Sequence, residues 1–187
     1  DLTHLPLLTI DPVGARDHDD AVYAEPDEAP NNKDGFIVIV AIADVAHYVR
    51  PGSRIDREAL MRGNSVYFPD RVVPMLPERI SNDLCSLREG ERRPCLAVRM
   101  VFDKHGEKRG HSFVRALMRS AAKLSYEEAQ AAIDGQPSDK CGPLMVRALR
   151  PLWAAYAVLS AAHDRRGPLN LDLPERKIVL DTQGRVA

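Results

Sequence analysis

The sequence has few aromatic residues, few cysteines and no long apolar run. Its 187 residues contain 5% Phe, Trp and Tyr, and the three cysteines have neither C-x-x-C nor Cys/His metal-site spacing. The longest apolar run, FIVIVAIA at 36–43, is far shorter than the roughly eighteen residues of a membrane span. No basic segment with a following apolar stretch opens the chain. These absences argue against a disulfide framework, a zinc site and a membrane partner. We therefore predict a cytoplasmic protein with reduced thiols and no evident obligate protein partner.

Composition and the two chain ends set the expected scale of the protein. A hydrophobic fraction of 44% over 187 residues suffices for one packed domain. The sequence begins at an aspartate and stops after DTQGRVA, a stretch typical of the middle of a hairpin. We therefore expect residues 1–187 to be part of a longer protein.

Charge is distributed unevenly along the chain. Residues 1–49 hold 2 Lys/Arg against 10 Asp/Glu, whereas residues 50–119 hold 15 Lys/Arg against 9 Asp/Glu. An acidic cluster followed by an arginine-rich segment suits a protein that binds both a divalent cation and a polyanion. Charge alone also fits a simpler alternative, in which both segments are solvated surface.

Local patterns predict an α+β fold. We expect a mixed, mainly antiparallel sheet in residues 8–120 with helices packed on it, and a helical segment over 125–166. Ser53 and Ser125 are the predicted helix caps, and Pro151 is expected to kink or divide the last helical stretch. Trp153 and Tyr156 are expected to pack in the core. The predicted strands and extended segments are LLTI, AVYAE, FIVIVAIA, SVYFP, VVPMLPE, CLAVRMVF, SFVRALMR and a final strand and turn in KIVLDTQGRVA.

The stretch TIDPVGARDHDDAV, residues 9–22, places four aspartates within ten positions. Asp11 lies at a predicted strand end, and Asp17, Asp19 and Asp20 lie on the loop that follows. Four such anions favour a bound cation, and all-oxygen ligation suits Mg²⁺ or Mn²⁺ better than Zn²⁺. Aspartate-rich loops also occur as caps and Asx-turns, so spacing alone leaves that alternative open. His18 could ligate a softer metal, but we expect it to point to solvent.

This aspartate stretch resembles the signature of the catalytic (RNB) domain of the ribonuclease II and ribonuclease R exoribonucleases. The resemblance continues through VAIADVAHYVRPGSRIDREALMRGNSVYFPDRVVPMLPERISNDLCSLREGERRPCLAVRM, AKLSYEEA and RRGPLNLDLPERKIVLD. It spans nearly the whole chain, and the central block is closer to the ribonuclease R branch. The resemblance implies that residues 1–187 are the N-terminal portion of a single RNB-type domain.

The resemblance implies processive 3′ to 5′ hydrolysis of single-stranded RNA to nucleoside 5′-monophosphates, with Mg²⁺ as the metal and Mn²⁺ as a substitute. By position in the motif, Asp11 and Asp20 bind Mg²⁺. Asp17 helps to place a second metal or the attacking water. Asp19 is the residue whose loss most impairs catalysis, so Asp17 and Asp19 are the predicted catalytic residues and also metal ligands.

The same matching assigns residues to RNA binding. It implies that Tyr67 stacks on bases at the 3′ end and that Tyr126 and Glu175 lie near the ribose, where a phenol and a carboxylate can bind a 2′-hydroxyl. Arg62 and Arg71 are predicted to contact phosphates. The alternatives are a core position for Tyr67, an ordinary first-turn position for Tyr126 and solvated arginines.

Residues 1–187 lack several regions of the full exoribonucleases: the cold-shock-type and S1-type RNA-binding domains and the arginine-rich active-site segment. We therefore expect the isolated fragment to be inactive and assign the activity to the longer protein. Two other classes remain open, a catalytically silent RNA-binding relative and a metal-dependent phosphohydrolase or structural metal-binding domain. Retention of all four aspartates favours the nuclease over the silent relative.

Overall fold

The computed structural model of the chain describes residues 1–169, 171, 178, 180–183 and 185. The strands in this part are β1 (Leu8–Asp11), β2 (Asp20–Pro26), β3 (Phe36–Ala43), β4 (Val66–Tyr67), β5 (Val72–Val73), β6 (Arg92–Phe102), β7 (Lys108–Arg119) and β8 (Ala122–Ser125). The α-helices are α1 (Val45–Tyr48), α2 (Arg54–Arg62), α3 (Tyr126–Ile133) and α4 (Arg150–Arg165). Short 3₁₀ turns occupy Pro30–Asn32 and Gly142–Leu144, and π-helical turns occupy Arg79–Leu84 and Met145–Leu149.

Six strands form one sheet in the order β7-β6-β3-β2-β1-β8. All neighbouring strands are antiparallel except β1 and β8, which run parallel. The predicted α+β fold with a mixed, mainly antiparallel sheet is therefore confirmed. Strand β8 was not expected from the sequence, because four residues ahead of a helix cap carry too little alternation to indicate a strand.

Side chains of alternate residues along the central strands point to opposite faces of the sheet, and the two faces pack against different parts of the chain. One face packs against the chain between residues 76 and 87. The other face packs against α4 through Ala24, Val38 and Ala155. A third cluster joins Leu8 of β1 and Leu124 of β8 to the inner side of α3. The buried residues of the first face are Ala21, Tyr23, Ile37, Ile39, Ala41, Ala43, Cys95, Ala97 and Met118, which meet Ile80, Cys85 and Leu87.

Both predicted serine caps are present, although they differ in completeness. Ser125 Oγ accepts a hydrogen bond from Glu128 N at 3.0 Å, and Glu128 Oε2 accepts one from Ser125 N at 2.7 Å, which completes a capping box. Ser53 Oγ accepts from Asp56 N at 3.2 Å, but Asp56 Oδ2 accepts from Gly52 N instead of the Ser53 amide. The α2 cap is therefore only half of a capping box.

Pro151 lies at the start of α4 and divides the helical stretch, as the sequence predicted. A 3₁₀ turn and a π-helical turn precede it, and regular α-helix begins at Arg150. Proline is favourable in the first turn because its missing N–H has no partner there. The helix ends near Gly167, whose φ of 59° lies in the left-handed region.

The expected core position of Trp153 and Tyr156 is wrong. Their exposed fractions are 41% and 56%, and the two rings form a tilted pair with centroids 5.2 Å apart. Helix α4 turns Leu152, Ala155 and Leu159 toward the sheet instead. The helical period alone could not decide which apolar side faces the sheet.

The proline-rich segment after residue 65 folds as a two-stranded ribbon. We expected SVYFP to be a strand and VVPMLPE to be extended, and the structure pairs them through Val66 with Val73 and Tyr67 with Val72. The single helical turn predicted near 77–83 is the π-helical turn Arg79–Leu84. The ribbon and this turn form one side of the candidate site described below.

Some predictions fall outside the described residues. Glu175 is among them, as are Lys177 and Val179 of the predicted strand KIVLD. The turn after that strand is present, since Asp181 N donates to Arg185 O at 2.8 Å and Gln183 N donates to Asp181 Oδ1 at 2.8 Å. Within the described part of the chain, no helix is both long and apolar enough to cross a bilayer.

The complete capping box predicts the stability effect of one substitution. Ser125→Ala removes the side-chain acceptor of the Glu128 amide and should lower the free energy of unfolding by about 1 kcal/mol. Urea unfolding followed by circular dichroism measures this change. Ser112→Ala, an exposed serine on β7, is the matched control and should change stability by less than about 0.5 kcal/mol. Equal effects of the two substitutions would contradict the role of the cap.

Candidate functional site

The four aspartates lie on the connection between two neighbouring antiparallel strands. Asp11 is the last residue of β1, Asp20 is the first residue of β2, and Asp17 and Asp19 lie on the loop between them. Because β1 pairs antiparallel with β2, the last residue of β1 and the first residue of β2 lie at the same end of this strand pair. The strand pairing thus places Asp11 and Asp20 at the same end of two neighbouring strands.

His18, in the centre of this loop, is buried rather than solvent-exposed. Its exposed fraction is 4%, and its ring Nδ1 lies 2.8 Å from Asp11 Oδ2. Its backbone N–H donates to Ser86 Oγ at 3.2 Å, and its carbonyl accepts from Leu87 N at 2.8 Å. The expectation that His18 points to solvent is therefore wrong, because the loop docks onto the segment around residue 86.

The carboxylates act on one another electrostatically. Partial burial raises the pKa of Asp19, and the charges of Asp17, Asp20 and Asp11 raise it further. Partial burial also raises the pKa of Asp20, with a further increase from Asp11. The charges of the other three aspartates thus all act on Asp19.

The four aspartate side chains are not arranged as ligands around one metal ion in this structure. Among the described residues, no group of three or more His, Cys, Asp or Glu side chains is arranged so that it could hold a metal ion. The chemistry of the donors fits a hard cation, since the loop supplies four carboxylates. The predicted Mg²⁺ site therefore remains a prediction, to which the structure adds the shared location of its carboxylates.

A cleft of about 570 Å³ runs from this loop to the β4–β5 ribbon. Asp17 of the loop and Tyr67 and Arg71 of the ribbon segment all line it. The cleft thus brings a carboxylate, an aromatic ring and a guanidinium to one concave surface. Its lining residues are Gly14, Ala15, Arg16, Asp17, Ser65, Tyr67, Phe68, Pro69, Asp70, Arg71, Val72, Pro74, Glu78, Ser81 and Asn82.

The ribbon presents its aromatic residues to solvent. Tyr67 is 74% exposed, which excludes the alternative of a core tyrosine. Phe68 is also exposed, and Arg71 Cζ lies 4.8 Å from the centroid of its ring. Arg71 also donates to Asp70 Oδ2 at 2.9 Å. Phe68 was not identified from the sequence, although its position beside Tyr67 in SVYFP could have indicated it.

Arg62 does not share this cleft. Its Nε donates to Glu58 Oε1 at 2.9 Å, and its Nη1 donates to the Pro74 carbonyl at 3.1 Å. The side chain therefore links the end of α2 to the base of the ribbon. The structure separates Arg62 from Arg71, although the sequence grouped them.

Tyr126 lies near the aspartates because of the unexpected strand β8. Parallel pairing of β1 with β8 places Ser125 opposite Asp11, and Tyr126 is the next residue, in the first turn of α3. Its exposed fraction is 58%. Glu175, its predicted companion at the ribose, lies outside the described residues.

An ion pair beside the loop, between buried Asp44 and exposed Arg115, was also missed by the sequence analysis. Asp44 is 8% exposed and accepts from Arg115 Nε at 2.8 Å and from Arg115 Nη2 at 2.9 Å. The preceding residue, Ala43, donates its N–H to Asp19 O at 2.8 Å. The ion pair thus fixes the end of β3 at the point where β3 holds the aspartate loop. Because the two partners are 71 residues apart, no local pattern indicates their contact.

Comparisons with known proteins identify the family. The family model described as RNB domain matches residues 1–187, so the chain belongs to the RNB domain family. Ribonuclease R of Vibrio parahaemolyticus is 43% identical over 189 residues, a match covering all of this chain but 22% of that relative. The chain therefore spans about a fifth of the length of this relative.

Two solved structures of RNase R from Mycoplasma genitalium have the same fold as this chain. The complex with double-stranded RNA aligns at a TM-score of 0.89 with 32% identity, covering 100% of this chain and 32% of that one. The complex with ribose methylated single-stranded RNA aligns at 0.90 with 32% identity, covering 100% and 28%. The fold that positions the aspartate loop is thus that of RNase R.

The raised pKa values predict that the aspartate loop destabilises the metal-free chain. An aspartate whose folded-state pKa exceeds its unfolded value makes stability fall as pH rises between the two values, and the penalty is complete at pH 7. Asp19→Asn should therefore raise the melting temperature in excess EDTA at pH 7, with a smaller gain at pH 4. Differential scanning calorimetry measures this difference.

Asp103→Asn is the matched control for this prediction. Hydrogen bonds from Glu107 N and His105 N lower the pKa of Asp103, so its charge stabilises the fold at neutral pH and the substitution should lower the melting temperature. A lower melting temperature for Asp19→Asn at pH 7 would show that the loop is not under electrostatic repulsion.

Proposed function

We propose that these residues form part of a 3′ to 5′ exoribonuclease that hydrolyses single-stranded RNA processively to nucleoside 5′-monophosphates. Membership of the RNB family and the RNA complexes of the similar RNase R structures support this proposal. The proposal concerns the activity of a longer polypeptide, since the chain spans about 22% of its ribonuclease R relative.

The cleft between the aspartate loop and the ribbon is the observation that carries the proposal. Asp17 lines the same cleft as Tyr67 and Arg71. An exposed aromatic ring stacks on any base, and a guanidinium pairs with phosphate. A nucleotide strand bound on the ribbon would thus bring a phosphate toward the aspartates.

The aspartates would bind the divalent ion. Asp11 and Asp20, at the two strand ends, would hold Mg²⁺ or Mn²⁺, and Asp17 would help to place a second ion or the attacking water. Bound metal would supply neutralisation of the phosphoryl charge and activation of water. Asp19 would contribute its negative charge to the metal site beside the reacting phosphate. Its loss should impair hydrolysis most.

Two further residues are proposed to recognise the sugar. Tyr126 is exposed beside the pairing partner of Asp11, where its phenol could bind a 2′-hydroxyl. Glu175 is proposed for the same role from the family motif. Arg71 is the proposed phosphate contact in the cleft, whereas Arg62 would act by supporting the ribbon.

The silent RNA-binding relative remains the second candidate function. It would need the ribbon and the cleft but not the carboxylates, and this chain retains all four of them. Their mutual repulsion is a cost that a purely RNA-binding protein has no reason to retain. A phosphohydrolase of small substrates or a structural metal-binding domain, in turn, would leave the exposed Tyr67 and Phe68 without a use.

Asp19→Asn provides the main test of hydrolysis. The substitution keeps the size of the side chain but removes one negative charge, so hydrolysis should fall by about 100-fold or more, the scale of a lost electrostatic contact of about 3 kcal/mol. Binding of single-stranded RNA should be unchanged or slightly tighter. Both are measured on one 3′-extended oligomer in Mg²⁺, with a polypeptide of ribonuclease R length that contains these 187 residues.

Asp103→Asn, far from the cleft, should leave both the rate and the RNA affinity of that polypeptide unchanged. Hydrolysis by Asp19→Asn at nearly the native rate would refute the role of Asp19. A native polypeptide that binds the oligomer but does not shorten it in Mg²⁺ or Mn²⁺ would instead favour the silent relative.

Tyr67→Ala tests the stacking role independently. Cleavage should continue, but the shortest end product should become longer because the last bases lose their stacking partner. The product ladder on a denaturing gel measures this change. Tyr156→Ala, which removes an exposed tyrosine of α4, is the matched control and should give the native ladder. An unchanged ladder for Tyr67→Ala would remove Tyr67 from the site.

A further inference from the structure

The ring of His18 is placed to orient one particular carboxylate. Its side chain is 5% exposed, and that of Asp11 is 16% exposed. The 2.8 Å contact joins His18 Nδ1 to Asp11 Oδ2. An ionised aspartate can only accept hydrogen bonds, so the proton of this bond belongs to Nδ1.

The backbone of His18 is fixed from both sides. Its N–H donates to Ser86 Oγ at 3.2 Å, and Leu87 N donates to its carbonyl at 2.8 Å. Ser86 and Leu87 are 1% and 0% exposed. A ring on a backbone held in this way has little freedom, so it restrains the Asp11 carboxylate rather than following it.

We propose that His18 is a positioning residue that sets the direction of the Asp11 carboxylate for cation binding. The hydrogen bond engages Oδ2 and leaves Oδ1 of Asp11 available for a ligand. Hydrogen bonds to metal-binding carboxylates fix their orientation, and their loss typically weakens metal affinity 10- to 100-fold. This inference rests on the function proposed above, because it assigns a metal to Asp11.

Direct roles for His18 fit the structure less well. Its side chain is 5% exposed, too buried to reach a phosphate in the cleft. The loop residues that line the cleft are Gly14–Asp17, and His18 is not among them. His18 therefore acts through Asp11 rather than by contact with RNA in the cleft.

Two substitutions separate positioning from packing. His18→Phe keeps a ring of similar size but has no donor, whereas His18→Asn places an amide N–H near the position of Nδ1. Mn²⁺ alone is titrated into the 187-residue chain, and free Mn²⁺ is measured by electron paramagnetic resonance. His18→Phe should weaken Mn²⁺ affinity about 10- to 100-fold, and His18→Asn should recover most of that loss.

His163→Phe is the matched control. His163 on α4 also lies beside an aspartate, with Nδ1 3.6 Å from Asp164 Oδ1, but its side chain is 50% exposed. Its Mn²⁺ affinity should equal that of the native chain. Urea unfolding in EDTA provides the stability of each variant, so that lost affinity can be compared with lost folding.

Three outcomes would overturn the proposal. Native affinity in His18→Phe would show that the hydrogen bond does not matter while leaving the metal site intact. Equal losses in the Phe and Asn variants that follow their unfolding midpoints would show a packing role only. A native chain whose Mn²⁺ binding is absent or insensitive to Asp20→Asn would remove the metal site and this inference with it.

Nuclear magnetic resonance distinguishes these failures. The His18 Nδ1–H proton should be detected in the metal-free chain and should exchange faster in Asp11→Ala. Detection of this proton without Mn²⁺ binding would refute the metal site of the proposed function while retaining the contact. Its absence together with normal Mn²⁺ binding would refute the positioning role alone.

Discussion

Repulsion among the four carboxylates between β1 and β2 is the constraint on which the candidate site depends. Burial and like charge both raise the pKa values of Asp19 and Asp20, so a free loop of this composition would separate its charges. The site can exist only if the surrounding fold holds the loop in place. The pairing of β1 with β2 holds the two ends of the loop, at Asp11 and Asp20, next to each other.

The contacts that hold the loop are mainly to its backbone. Ala43 N donates to Asp19 O at 2.8 Å, and Lys123 Nζ lies 3.4 Å from Ala15 O. The backbone of His18 is held by the segment around residue 86. Fixing the backbone leaves most of the carboxylate oxygens available, whereas fixing the carboxylates with arginines would neutralise them. The scaffold thus preserves the charge that a cation would require.

The sequence predicted the local parts of this arrangement and missed the distant contacts. Alternation located β2, β3, β6 and β7, and serine patterns located α2 and α3, because these signals lie within a few residues. Burial of His18, exposure of Trp153 and the parallel pairing of β8 depend on partners far along the chain. The cleft between Asp17 and Tyr67 likewise needs the fold of the ribbon, so only the family resemblance could place Tyr67 with the aspartates.

The uneven distribution of charge between the two segments that line the cleft has a consequence for a polyanion. The acidic segment 1–49, with 10 Asp/Glu against 2 Lys/Arg, would repel RNA if it acted alone. The ribbon belongs to the segment with 15 Lys/Arg against 9 Asp/Glu and offers stacking surfaces that do not depend on charge. In the proposed function, an RNA strand bound there would approach the aspartates with its end. The carboxylates would repel the phosphates at that end, so a divalent cation between them would be needed for the end to bind.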